Sequence, residues 1–386
     1  MLDINILKAV LSQSTAPFRE MHVFSLVETL LTEAKVPFFY DQVGNMSIGF
    51  ENEARYKKAL SKKSQVPLRL MMAHTDHPGF HGVRWLDDQN LAVKWFGGSP
   101  KKYLHRAQVW LADEAGDLGE GRLHKVQLAS HGFSIDTAVV KLAHALPGKR
   151  PGAKRLFGGF KFRSPFWRSG KLVYSRAADD LVGVFCIIET AKKLFQSAQR
   201  KDQMSFAGLL TRAEEVGFVG AMAHFDQGWY KAVARDVICI SLEASRTLPG
   251  ARIGQGPVVR LGDRRTVFSA APLQALTLLA EKHIKGNYQR RIMDGGACEG
   301  SATTMLGLPT VGISIPLGNY HNEGYEGGQD CRGPRGPAPE HVNLNDIENM
   351  LRLCQAVAED TKIWAQPWQA PWGRLYKNYQ AMKKHF

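Results

Sequence analysis

The sequence has 386 residues, of which 44% are hydrophobic and 22% are charged, proportions that are typical of a folded globular protein and exclude a disordered chain. Its length suffices for two domains, because single hydrophobic cores rarely grow beyond ~250–300 residues. The formal net charge is +14, but no zinc-finger spacing or RNA-binding aromatic motif accompanies it, so we interpret the charge as a solvated basic surface and expect no nucleic-acid partner.

Neither a membrane span nor a secretory signal is evident. No apolar run approaches the ~20 residues that cross a bilayer, and the first residues lack the basic and apolar regions of a signal peptide. The five cysteines are scattered and odd in number, which does not suggest a disulfide framework. We therefore expect a cytoplasmic protein without a membrane partner.

The N-terminal elements are helices followed by strands. Apolar residues recur at helical spacing over residues 6–34, and residues 46–50 alternate like a strand. The apolar run 66–73 predicts a buried strand that ends at His74, and Asp76 follows two residues later.

The sequence texture changes over residues 83–171. Short alternating segments separated by turns predict a small, mainly β domain, and helical spacing is confined to residues 136–146. We therefore predict one domain of residues 1–82 and 172–386, with an inserted domain of residues 83–171.

Beyond the insert, predicted strands lead to acidic residues or to a histidine. These strands and the residues after them are 206–211 before Glu214-Glu215, 237–242 before Glu243, and 310–316 before His321. The pair Asp179-Asp180 precedes a predicted helix, and a last helix is predicted over residues 345–364.

These side chains are the ligand types that a pair of divalent metal ions requires. Residues at the carboxyl ends of strands in an open α/β sheet gather at one edge, so we expect them to converge. Imidazole and carboxylate ligands without cysteine suit zinc, with cobalt or manganese as alternatives. Of the adjacent pair Glu214-Glu215, one carboxylate can bind metal while the other acts as a general base with a raised pKa. Each residue alone is explained as simply by a strand-end polar group or a helix cap, so the prediction depends on the whole set.

The motifs around these residues have a recognisable order. They are H-T-D at 74–76, A-D-D-L-V-G at 178–183, T-R-A-E-E-V-G-F-V-G-A at 211–221 and I-P-L-G-N-Y-H at 315–321. Together they resemble the glutamyl and deblocking aminopeptidases, a family of tetrahedral aminopeptidases with two co-catalytic metals. The stretch that begins at Glu214 is the most specific part of this resemblance.

The resemblance implies a fold, an activity and a role for each residue. The implied fold is an α/β zinc-exopeptidase-like catalytic domain with a mixed sheet, helices on both faces and a small inserted β domain. Residues 1–82 and 172–386 would form the catalytic domain, and the insert of residues 83–171 would serve oligomerisation or substrate access. The implied activity is metal-dependent removal of N-terminal residues from peptides by a homo-oligomer, through a water shared by two metals. The implied ligands are His74, Asp179 and Glu243 for one ion and Asp179, Glu215 and His321 for the other. Glu214 would be the general base, and Asp76 would orient the site.

The chain departs from the family pattern at a few positions. The family usually has Asp where Glu243 stands, a basic residue where Leu181 stands, Gly-Thr-Asp where 296–298 read Gly-Ala-Cys, and Arg-Tyr where 319–320 read Asn-Tyr. The last two differences fall at expected substrate-contact positions, which leaves the preferred N-terminal residue open.

Two other functions fit the same residues. One is an amidohydrolase of the same clan that acts on N-acyl amino acids. The other is a catalytically silent scaffold whose basic domain binds an acidic partner.

Overall fold

Helices and strands alternate along most of the chain. The structure is a computed structural model that describes residues 2–146, 150–197, 205–231 and 233–386. Its helices are α1 Ile4–Leu11, α2 Met21–Glu33, α3 Glu53–Ser61, α4 Leu181–Gln196, α5 Val219–Asp226, α6 Ala270–His283, α7 Glu299–Met305, α8 Leu344–Glu359, α9 Lys362–Ala365 and α10 Gln369–Met382. Its strands are β1 Phe38–Tyr40, β2 Met46–Ile48, β3 Leu68–His74, β4 Gly79–Trp85, β5 Asn90–Phe96, β6 Gln108–Asp113, β7 Gly116–Leu128, β8 Ile135–Leu142, β9 Phe157–Phe160, β10 Phe166–Ser169, β11 Leu172–Ser175, β12 Phe206–Thr211, β13 Val237–Arg246, β14 Val258–Asp263, β15 Gln289–Met293, β16 Thr310–Leu317 and β17 Glu340–Asn343.

An eight-stranded mixed sheet organises the larger part of the chain. Its strand order is β1-β2-β12-β3-β13-β16-β14-β15. The four central strands β12, β3, β13 and β16 are parallel, whereas β2 and β14 pair with them in the antiparallel direction. Parallel central strands direct their carboxyl ends to one edge of the sheet, where ligands collect in folds of this type.

Helices cover both faces of this sheet because its central strands bury every side chain. All seven residues of β3 are buried. Met71 and Ala73 pack in one core with residues of α1, α2, α4, α6 and α8, while Leu70 and Met72 pack in a second core with residues of α3 and α5. Burial on two faces explains the unbroken apolar runs in the sequence. The predicted α/β fold class, with a mixed sheet and helices on both faces, is confirmed.

Strands β4 to β9 form a closed six-stranded barrel. The order around it is β4-β5-β8-β7-β6-β9, and its interior is a separate core that includes Phe80, Val93, Leu111 and Val140. Strand β11 pairs with β10 on one side and with β17 on the other in another, three-stranded sheet. The division into residues 1–82, 83–171 and 172–386 stays a prediction.

The prediction of a helix over residues 136–146 is wrong. Residues Ile135–Leu142 form β8, which pairs with β5 and β7 in the barrel. Ala138, Val140 and Leu142 are buried at every second position, as a strand requires. The apolar residues of this short segment fit both the helical repeat and the alternation of a strand. Pairing with distant strands decides between the two structures.

Two predicted ends also differ from the structure. Strand β13 continues to Arg246, so Glu243 lies inside the strand rather than after it. The helix predicted over residues 345–364 is divided into α8 and α9, because the Asp360 carboxylate accepts a hydrogen bond from the Ile363 backbone N–H at 2.7 Å and begins a new helix. Within the described ranges, no helix has both the length and the apolar composition that crossing a membrane requires.

Candidate metal centre

The carboxyl edge of the sheet brings the predicted ligands together. Thr211 at the end of β12 pairs with His74 at the end of β3, which places Glu214 and Glu215 beside that histidine. One ligand atom each from His74, Asp179 and Glu215 lie within 4.8 Å of one another, and the same is true of His74, Glu214 and Glu243. His321 follows β16 and joins them through Glu215.

Two imidazole–carboxylate pairs have the separation expected of ligands on a shared ion. His74 Nε2 is 3.4 Å from Asp179 Oδ1, and His321 Nε2 is 3.0 Å from Glu215 Oε2. Two atoms that each lie 2.0–2.1 Å from a tetrahedral zinc ion are ~3.3 Å apart. The distance from His74 Nε2 to Glu214 Oε2 is longer, at 4.0 Å.

Several buried ligand atoms have no hydrogen-bond partner among the described residues. They are Asp179 Oδ1, Glu215 Oε1, Glu243 Oε1 and His321 Nε2; the contacts of Asp179 Oδ1 with His74 and of His321 Nε2 with Glu215 are close but do not have hydrogen-bond geometry. Leaving a buried polar atom unsatisfied costs roughly 1–3 kcal/mol, and more when the group is charged. A bound cation would satisfy all four atoms, so the residues present fit a metal centre.

The electrostatics of the cluster also favour a cation. Burial, reinforced by Glu215 and Glu243, raises the pKa of the Glu214 carboxyl well above its ordinary value. Burial and the neighbouring Asp179 carboxylate raise the pKa of Glu243 to about 8. Burial lowers the pKa of His74, but the Glu214 and Asp179 carboxylates outweigh it, and the net pKa is well above the ordinary value. Acidic side chains exceed basic ones here, so positive charge stabilises the folded site.

Asp76 contacts the two glutamates directly. Its carboxylate accepts hydrogen bonds from the backbone N–H groups of Glu214 at 2.9 Å and Glu215 at 3.1 Å. His74 Nδ1 lies 3.1 Å from the Asp76 backbone carbonyl and 3.6 Å from its carboxylate. Asp76 therefore contacts His74 through its backbone carbonyl and the two glutamates through its carboxylate.

Glu340 is a functional candidate that the sequence analysis missed. Its Oε2 accepts hydrogen bonds from the backbone N–H groups of Ala178 at 2.7 Å and Asp179 at 3.1 Å, and its Oε1 accepts one from the His321 backbone at 2.9 Å. One buried carboxylate therefore holds the backbones of two predicted ligands that lie far apart in sequence.

We expect Glu340→Gln to weaken metal binding by ~10–100-fold, as is usual for loss of a partner that orients ligands. The amide NH₂ group would face at least one backbone N–H, so one side of the bridge is lost. Metal affinity measured by competition with a chelating dye checks this. Asp346→Asn is the matched control, because Asp346 also accepts two backbone N–H bonds, from Gly254 and Gly256 at 2.7 Å, away from the site. Equal loss of affinity in both variants would contradict the positioning role.

A cleft lies beside Glu243. It is lined by Glu243, Arg246, Arg260, Gly296, Ala297 and Tyr320, among others. The Tyr320 ring stacks on the His321 ring with centroids 3.7 Å apart.

Cys298 and Asn319, which lie in the stretches expected to contact substrate, make hydrogen bonds within the protein, and the substrate contact stays a prediction. The Cys298 thiol and backbone N–H donate to the buried Asp263 carboxylate. The Asn319 amide donates to the backbone carbonyls of Gly327 and Pro339.

The barrel reaches the metal centre through the turn after β5. A Cβ atom added to Gly98 would lie 2.1 Å from Nδ1 of His321, so only glycine fits this approach. Gly97, Gly98 and Phe133 also line a groove that includes Glu215 of the metal centre. Residues at this end of the barrel therefore lie beside the candidate metal centre.

Part of the chain matches a known peptidase family. Residues 157–325 match the model of the M42 glutamyl aminopeptidase family. No curated protein sequence is significantly similar to the chain.

Solved structures share the fold over nearly the whole chain. An aminopeptidase from the archaeon Desulfurococcus kamchatkensis is 22% identical, covers 95% of this chain and 97% of its own, and gives a TM-score of 0.71. A TET aminopeptidase from a marine-sediment Thaumarchaeota archaeon is 19% identical, with coverages of 95% and 99% and a TM-score of 0.70. The Pyrococcus horikoshii TET1 peptidase, described as assembling into a tetrahedron or a large octahedral shell, is 20% identical, with coverages of 92% and 98% and a TM-score of 0.67.

Proposed function

Over residues 157–325 the chain belongs to the M42 glutamyl aminopeptidase family, and we propose that it removes N-terminal residues from peptides with two divalent metal ions as cofactors. The family match confirms the predicted assignment as a metal-dependent aminopeptidase. The observation that carries the proposal of two ions is the pair of imidazole–carboxylate contacts, His74 with Asp179 and His321 with Glu215, at one edge of the sheet.

We assign the ligands as the sequence predicts. His74, Asp179 and Glu243 would hold one ion, and Asp179, Glu215 and His321 the other. The unsatisfied atoms on four of these five side chains support the set. Zinc suits these nitrogen and oxygen donors, and cobalt or manganese would also be accepted.

Divalent ions at such a centre lower the pKa of water and polarise the carbonyl of the scissile bond. Glu214 acts as the general base that takes the proton of the attacking water and delivers it to the leaving amine. Its burial, its raised pKa and its distance of 4.0 Å from His74 Nε2 suit a carboxylate that stays outside the ligand set. Asp76 keeps Glu214 and Glu215 in place through their backbone N–H groups.

The remaining parts of the proposal concern assembly and compartment. We propose a homo-oligomer, supported by the described assemblies of the Pyrococcus horikoshii peptidase, with residues 83–171 as the insert that shapes access. All five cysteines are free thiols, which suits a cytoplasmic location.

Metal removal tests the proposal. We expect the purified protein to contain two divalent ions per chain, and to lose hydrolysis of aminoacyl amides on chelation and regain it with zinc, cobalt or manganese. Chelation is also expected to lower the melting temperature, because the buried carboxylates then repel one another. Metal analysis, amide hydrolysis and thermal unfolding measure these effects.

The choice of substrates separates the alternatives. The panel should include acidic, basic and neutral aminoacyl amides, because Arg246 and Arg260 line the cleft, together with N-acyl amino acids. Turnover of N-acyl amino acids alone would favour the amidohydrolase, and no turnover with any restored metal would favour the silent scaffold.

A further inference from the structure

The C-terminal helix α10 has an apolar face that the rest of the chain does not cover. Trp364 is the last buried residue, and none of the residues of α10 is buried. Trp372 and Leu375 are each 65% exposed, and Tyr379 is 52% exposed. Exposed large side chains in such number are unusual on a globular protein and mark a surface that binds something.

These residues form one continuous stripe along the helix. We define the α10 apolar face as Trp368, Trp372, Leu375, Tyr376, Tyr379 and Met382, which recur at spacings of three and four residues. The rings of Trp372 and Tyr376 have centroids 6.3 Å apart, and those of Tyr376 and Tyr379 are 5.9 Å apart. The stripe is therefore a single aromatic and aliphatic surface.

The charge of the same segment is entirely positive. Residues 361–386 contain five lysines and arginines and no aspartate or glutamate. At 3.6 residues per turn, Arg374 and Lys377 lie on the side of α10 opposite Trp372. No ion pair joins either of them to another residue in the described part of the chain. A basic helix with a separate aromatic face complements an anionic and apolar surface.

We propose that α10 binds the surface of membranes that contain anionic lipids, and that it holds the enzyme there as a peripheral protein. Tryptophan and tyrosine are favoured at the boundary between headgroups and acyl chains. Lysine and arginine attract anionic headgroups. The helix has 14 residues and is about 21 Å long, so it lies in the interface. Such binding departs from two expectations of the sequence analysis, a solvated basic surface and the absence of a membrane partner.

Two other binding partners of the α10 apolar face, a second copy of the chain and a single-stranded nucleic acid, fit the same observations less well. A second copy that packed its own α10 against this face would bring together two segments with five basic and no acidic residues each, and these charges repel one another. A single-stranded nucleic acid would use the aromatic rings as stacking platforms, but Leu375 and Met382 in the same stripe offer bases no stacking surface. Acyl chains accept all of these side chains.

Flotation with lipid vesicles tests the proposal on the full-length protein. We expect binding to vesicles of equal parts phosphatidylcholine and phosphatidylglycerol, no binding to pure phosphatidylcholine, and weaker binding at high salt. The double change Trp372→Ser with Tyr379→Ser should reduce binding by ~10-fold or more, because it removes two interfacial anchors. Hydrolysis of aminoacyl amides should be unchanged.

Matched variants separate α10 from the charge of the whole protein. Arg374→Glu with Lys377→Glu and Arg168→Glu with Lys171→Glu change the net charge equally, but only the first pair lies on α10. Val267→Ser with Met305→Ser removes exposed apolar side chains elsewhere. We expect loss of binding only in the α10 variants.

Three outcomes would overturn the proposal. One is equal loss of vesicle binding in the Arg168 and Lys171 pair. A second is absence of vesicle binding together with a smaller assembly when the aromatic face is changed, which would assign the face to a second copy. The third is salt-sensitive binding of a single-stranded RNA without vesicle binding.

Discussion

Replacing Glu214 by glutamine is expected to lower kcat by ~10²-fold or more while both metal ions stay bound. Glutamine keeps the shape of the side chain but cannot accept the proton of the attacking water. Glu214 is buried, and the 4.0 Å between its Oε2 and His74 Nε2 exceeds the spacing of the two closer imidazole–carboxylate pairs. Steady-state kinetics and metal analysis of the same preparation measure the two effects.

The kinetic signature distinguishes a base from a ligand. A variant that lacks the base loses kcat and kcat/KM together, and additional metal does not restore it. Glu51→Gln, an exposed glutamate outside the site, controls for the change of charge. Restoration of activity by excess zinc, or loss of an ion from Glu214→Gln, would instead make Glu214 a ligand.

Local sequence patterns predicted the central strands and the residues that follow them. The apolar runs at 66–73 and 206–211 correspond to β3 and β12, because strands buried on both faces carry no alternation. Since the carboxyl ends of parallel strands share one edge, the convergence of His74 with Glu214 and Glu215 followed from their positions after these two strands.

Features that depend on distant pairing were not predictable in this way. The segment Ile135–Leu142 is a strand because β5 and β7 lie on either side of it. Glu340 has no local pattern, since its role depends on backbone N–H groups at positions 178, 179 and 321. The helix α10 makes no contribution to the buried core, so hydrophobic burial gave no reason to expect it.

Replacement of Asp179, the ligand proposed for both ions, is expected to have the second large effect on metal binding. Asp179→Asn is expected to leave less than one ion per chain and to lower metal affinity by more than the ~10–100-fold that loss of an orienting partner costs. Asp179 lies 3.4 Å from His74 Nε2 and within one cluster with Glu215, so an amide there weakens both ions. His321→Ala removes a terminal ligand of one ion, and about one ion per chain should remain.

Thermal unfolding adds a readout that does not depend on turnover. Burial raises the pKa values of Glu243, Glu340 and Asp180, and the neighbouring Asp179 carboxylate raises them further. These negative charges therefore repel one another when no cation is bound. In chelator, Asp179→Asn should therefore unfold at the same temperature as the parent or higher, and with metal it should unfold at a lower temperature.

A buried carboxylate outside the ligand set supplies the control. Asp263 accepts hydrogen bonds from Cys298 and Ser301, so Asp263→Asn should destabilise the protein equally with and without metal, because its hydrogen bonds are independent of the ions. A carboxylate that binds metal, in contrast, reverses the sign of its effect on stability when metal is added, and the number of ions that remain distinguishes a shared ligand from a terminal one. Retention of two ions by Asp179→Asn would contradict the proposal that Asp179 binds both ions. Loss of both ions from His321→Ala would contradict it as well, because a terminal ligand binds only one ion.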